Sequence, residues 1–191
     1  DIIKAMDIII ALLAAYVVAN KKLFNIESYI DQLQLPQNSR SIEALVNAIG
    51  DATLKSQLCC AILGSKKYKI DDSGRNEFLL KNLTDKDIQT LLSVDTGVLH
   101  TVLGFMFGNY EKYEGMILSR AGDTKIDLTI RDNFIYSVLN VAKDKKVSFA
   151  SRQKLSDSLS SARAWTLIQQ DSFADEAIKA HLCLRLIKEV F

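Results

Sequence analysis

Apolar residues along this chain recur at steps of three and four, the spacing that gathers them on one face of a helix. Ile42, Leu45, Val46 and Ile49 form one such stripe and predict a helix over about residues 41–49, stopped by Gly50. Leu54, Leu58, Ala61 and Ile62 form the next, over residues 53–63, ending at Gly64. The same reading places helices at about residues 26–33, 75–83, 98–107 and 110–120. Gly108-Asn109 separates the last two, and Ala121-Gly122 ends the second. A hydroxyl residue followed three positions later by an acid marks helix starts at Thr84 with Asp87, Thr129 with Asp132, and Ser172 with Asp175. These predict helices to about Leu92, Ala142 and Val190. Residues 148–170 read as a long helical stretch broken near Ser160-Ser161, because serines favour starts and turns over interiors. Residues 65–74 read as a solvated loop. Only residues 123–130, with Ile126, Leu128 and Ile130, offer a short rival strand. The apolar run Ile8 to Ala19 falls short of the roughly 20 residues a bilayer requires, so residues 1–20 are expected to be a buried end-packing helix.

Composition narrows the class. The chain has 191 residues, 48% apolar and 25% charged, and reads as one globular domain over residues 1–191. One proline and eight glycines are too few for an all-β protein with many tight turns, so the expected fold class is all-α. A formal net charge of +1 provides no global field toward nucleic acid or an acidic membrane. The cysteines are Cys59, Cys60 and Cys183, an odd set containing an adjacent pair, which suggests a reducing compartment, cytoplasm or nucleus. The chain begins at Asp1, as a fragment of a longer protein would.

An internal echo sharpens the fold. Ala44-Leu45-Val46-Asn47-Ala48-Ile49, Thr101-Val102-Leu103-Gly104-Phe105-Met106 and Ser137-Val138-Leu139-Asn140-Val141-Ala142 share one pattern, and Ala180-His181-Leu182-Cys183-Leu184-Arg185 repeats it weakly. Asn47, Gly104, Asn140 and Cys183 align, at intervals of 57, 36 and 43 residues. Leu79-Leu80, Ile117-Leu118 and Lys154-Leu155 recur ahead of them. The pattern resembles the third helix of armadillo and HEAT-like repeats: an aliphatic pair, an asparagine, then a leucine and a small residue. Residues 98–122 would then be the joint between two units. The resemblance implies a right-handed solenoid of about four degenerate repeats over residues 26–191, with residues 1–20 as a capping helix. The alternative is an irregular all-α bundle. Departures are visible: the glycine between first and second helices occurs only at Gly122, without its following proline, and the first interval is long.

In such a stack the third helices line a concave surface, and an asparagine there can donate to and accept from an extended peptide backbone. An aromatic one turn earlier supplies apolar walls in the peptide-binding members. The positions one turn earlier here are Glu43, His100, Tyr136 and Lys179, so only Tyr136 with Asn140 keeps that pair. The partner-binding candidates are therefore Glu43, Asn47, His100, Gly104, Tyr136, Asn140 and Lys179. The function expected is a non-catalytic scaffold or adaptor that takes a partner peptide or helix. A nucleic-acid-binding helical domain using Lys66, Lys67, Lys69, Lys143, Lys145 and Lys146 is the alternative, with the neutral charge balance against it. His100 and His181 lack neighbours at metal-ligand spacing, and no glycine-rich phosphate loop follows a strand. No metal, cofactor, membrane partner or catalytic group is expected. Trp165 is expected in the core, Tyr110 and Tyr113 on an exposed connector, and the apolar terminal helices as caps or a self-association surface.

Overall fold

The computed structural model describes Leu12, Ala15 and residues 39–64, 73–93 and 98–191. Among the described residues every regular element is helical and no strand occurs. The elements are α1 (Ser39–Ala48), α2 (Ala52–Gly64), α3 (Ser73–Lys81), α4 (Asp85–Leu91) and α5 (Val98–Met106). A 3-10 turn (Phe107–Asn109) leads into α6 (Tyr110–Ala121), followed by α7 (Leu128–Asp144), α8 (Phe149–Asp157), α9 (Ser161–Gln169) and α10 (Glu176–Val190). The expected helix over residues 26–33 and residues 65–72 of the loop expected over 65–74 lie outside the described residues, whereas Ser73 and Gly74 already belong to α3 rather than to a loop. Of the expected capping helix only Leu12 and Ala15 are described; both are helical and exposed.

The chain divides into two compact units, Asp1–Val102 and Leu103–Phe191. In the first, α1 packs on α2 and α3, and α2 also packs on α4. The helical stripes explain these contacts, because Ile42, Leu45, Val46, Leu58, Ile62, Leu79, Ile88 and Leu91 are all buried. In the second, α6 packs on α7 and α8, α8 on α7 and α10, and α9 on α10. Phe134, Ile135, Val138, Leu139, Leu155, Ala164, Leu167, Ile178 and Leu182 supply that core.

Thr84 caps α4 as expected, its side chain accepting from the Asp87 amide at 3.3 Å. The other two starts shift. Asp127, not Thr129, caps α7, accepting from the Thr129 and Ile130 amides at 2.9 and 3.3 Å. A carboxylate there also meets the positive end of the helix dipole, so it outcompetes a hydroxyl. Asp175, not Ser172, caps α10, where it also binds Arg152. Residues 123–127, half of the rival strand, are turn, and Leu128 already opens α7. The break at Ser160 is present, with Ser160 capping α9 through the Arg163 amide at 3.1 Å. Trp165 is 60% exposed rather than core, because α9 buries Ala164 and Leu167 instead. Tyr113 is buried and Tyr110 half-buried, so neither belongs to an exposed connector.

One construction recurs in both units. The Thr84 amide donates to Ser56 at 2.8 Å, and the Ser160 amide donates to Asp132 at 3.0 Å. Each pair spans 28 residues and fastens a helix cap to a buried polar group on an earlier helix. Steps of 76 residues separate Ser56 from Asp132, Thr84 from Ser160 and Leu79 from Leu155, and Ile117 lies midway between the leucines. Leu79, Ile117 and Leu155 are fully buried. Ile62 and Val138, Ile88 and Ala164, and Val102 and Ile178 obey the same step and are buried at both ends.

Candidate functional site

Helix α7 carries the sharpest candidate pair. Asp127 fixes its first turn, and Phe134, Ile135, Val138 and Leu139 turn one face into the core. Tyr136 and Asn140 are one turn apart, share a face and are half-buried. Lys143 continues that stripe for another turn and donates to the Ala174 carbonyl at 2.5 Å. The Arg163 guanidinium lies over the Tyr136 ring, 5.0 Å from its centroid, and the Phe173 ring is 6.1 Å away at a tilt. Tyr136 is thus held from two sides, by α9 and by the segment before α10. The Asn140 amide makes no hydrogen bond among the described residues, which leaves a donor and an acceptor available.

The other candidates are placed differently. Glu43 and Asn47 share a face of α1, half-buried and exposed respectively. His100 is exposed on α5, in the first unit, and Gly104 stands four residues on in the second. A Cβ added at Gly104 would meet nothing within 4 Å, so close packing does not demand glycine there. Lys179 is mostly buried on α10, its Nζ 3.5 Å from Glu176. No hydrogen bond or ring contact among the described residues joins it to Tyr136 or Asn140. Arg163, Phe173 and Lys143 were not candidates as neighbours of this pair. Nothing in the sequence marks them, since α7 meets residues 163–174 only through the fold.

Chemically active groups elsewhere serve the framework. His181 Nε2 lies 2.6 Å from Asp157, and Nδ1 lies 3.2 Å from Gln153, so both ring nitrogens tie α10 to α8. Arg185 donates to the Ser156 and Leu159 carbonyls at 2.9 and 3.1 Å, closing the end of α8. Burial pushes the Cys59 thiol up to about 12, which makes it a poor nucleophile. Burial, helped by the Glu114 carboxylate, likewise pushes Tyr110 up to about 12. Its ring stacks on Phe107 with centroids 5.1 Å apart. No group of three metal-ligating side chains forms among the described residues. No helix among them is long and apolar enough to cross a membrane. The fold of the described residues is therefore all-α. No family model matches the chain, and neither a curated protein nor a solved structure is significantly similar to it.

Proposed function

We propose that this chain is a non-catalytic interaction scaffold of armadillo-like helical repeats, which takes a partner peptide or helix on the concave third-helix surface, at the Tyr136–Asn140 face of α7. The observation that carries the reading is the Tyr136–Asn140 pair: an aromatic wall pinned by Arg163, one turn from an amide with unused hydrogen-bonding capacity. A pinned side chain loses little further entropy on binding, which favours affinity. The 76-residue recurrence of caps and core positions supports a repeat of helices in a different register, since it sets Asn140 against Gly64 rather than Asn47, and Gly104 against Ala180 rather than Cys183. The odd cysteine count with its adjacent Cys59-Cys60 pair supports a reducing compartment, cytoplasm or nucleus.

Because Tyr136 packs on Phe173 and Arg163, truncating it would disturb the fold as well as the surface. Asn140→Ala is the clean probe. Peptides selected from a random displayed library on the chain should lose at least about tenfold in affinity for Asn140→Ala, the cost of about one buried hydrogen bond. Thermal unfolding of the variant should be unchanged. Peptides that bind the variant as tightly as the parent would remove the site from α7.

A further inference from the structure

Helix α10 turns an ordered apolar stripe outward. Ala177, Ala180, Leu184 and Ile187, with Phe191 as the residue that follows the helix, succeed one another at steps of three and four, the a and d positions of two heptads. All five are exposed; Leu184 is 60% and Ile187 55% accessible, and Phe191 is fully so. The opposite face holds Ile178 and Leu182 in the core. The seam is therefore additional to the packing that forms the helix. A helix already folded against α8 and α9 presents such a seam without the nucleation cost that makes isolated short helices marginal.

The stripe is graded, from small alanines at one end to phenylalanine at the other. A parallel partner with the same sequence would set alanine on alanine and phenylalanine on phenylalanine, a wedge that packs at neither end. Reversed, the stripe complements itself: Ala177 meets Phe191 of the other copy, Ala180 meets Ile187, and Leu184 meets Leu184. Such reciprocity is what a two-fold interface requires. The charges agree with that direction. Antiparallel pairing brings Lys188 toward His181 of the other copy, and His181 already holds the half-exposed Asp157 carboxylate at 2.6 Å.

We propose that two copies of this chain associate through α10, antiparallel about a two-fold axis at Leu184, with Lys188 of each copy facing the Asp157–His181 pair of the other. The size grading selects a second copy over an unrelated helix, because the stripe is its own complement only in reverse.

Sedimentation equilibrium of the 191-residue chain tests this, with the variants chosen at exposed positions and their folding checked by thermal unfolding. The chain should be dimeric at tens of micromolar. Leu184→Glu, which places two carboxylates on the axis, should weaken association by about 100-fold. Ala177→Phe should weaken it by about tenfold by opposing two phenylalanines, and adding Phe191→Ala should restore it by exchanging large for small. A monomer at hundreds of micromolar would overturn the proposal. Tighter association of Ala177→Phe, or failure of the second change to rescue it, would overturn the register and the self-complementarity that motivates it.

Discussion

At the scale of single residues, burial raises the pKa of two groups, Cys59 and Tyr110, and both make the fold sensitive to alkali. Cys59 is fully buried on α2, and burial raises its thiol from 9.0 to about 12. Below pH 9 the thiol is protonated in both folded and unfolded chains. Above it, the unfolded chain loses a proton that the folded chain keeps, so the unfolded state binds fewer protons and stability falls as pH rises toward 12. Tyr110, raised from 10.0 to about 12 by burial first and Glu114 second, adds a loss of the same sign starting about one unit higher. Its hydroxyl is buried beside Ser151 without a well-formed hydrogen bond. Tyr110→Phe should therefore change stability by less than about 1 kcal/mol at neutral pH, where no satisfied bond is lost. Urea midpoints followed from neutral pH to about pH 11 should fall less steeply for that variant than for the parent. Parallel slopes would mean that the hydroxyl ionises as freely in the folded chain as in water.

At the scale of elements, the helices are held by side chains that reach carbonyls and caps on their neighbours. Arg185 on α10 is the clearest case, since it donates to the Ser156 carbonyl in the last turn of α8 and to the Leu159 carbonyl just beyond it. Arg185→Met keeps the aliphatic stem and removes the donors, and should cost about 1–3 kcal/mol in a urea unfolding experiment. Lys188→Met, exposed on the same helix, should stay within about 0.5 kcal/mol when measured at concentrations too low for association. Equal effects of the two would show that the carbonyl clasp contributes nothing. Helix positions were legible in the sequence because period-3.6 stripes such as Ile42, Leu45, Val46 and Ile49 need only local spacing. Two of the three expected caps were not. At Thr129 and Ser172 a hydroxyl stood three residues before an acid, yet carboxylates took the capping positions. The acids of both motifs found long-range uses: Asp132 accepts from Ser160, and Asp175 binds Arg152. Those partners are 28 and 23 residues away, beyond anything local pattern can weigh. The Tyr136–Asn140 spacing was legible for the same local reason, whereas Arg163 over the Tyr136 ring depends on how α9 crosses α7.

At the scale of the whole chain, the 76-residue step joins matched chemistry as well as matched burial. In the first unit Ser56 accepts from the Thr84 amide, and the carboxylate that completes the cluster is Asp87, in the first turn of α4. In the second unit the carboxylate has moved onto the earlier helix, as Asp132, which takes both the amide and the hydroxyl of Ser160 at 3.0 and 2.5 Å. Arg163 stands where Asp87 would be. Each cluster thus holds one acid, placed on opposite sides of the same joint. Asp132 is only 6% exposed, so Asp132→Ala should strand the Ser160 groups and cost about 2–3 kcal/mol. Asp132→Ser alone rebuilds half of the first unit's arrangement and should remain destabilised. Adding Arg163→Asp supplies the missing acid where the first unit keeps it, and should recover about half of the loss, even though it also removes the cation over Tyr136. Urea midpoints of these three variants and of Arg163→Ala decide the matter. A double variant weaker than Asp132→Ser by as much as Arg163→Ala weakens the parent would mean that the two joints share spacing but not an interchangeable construction.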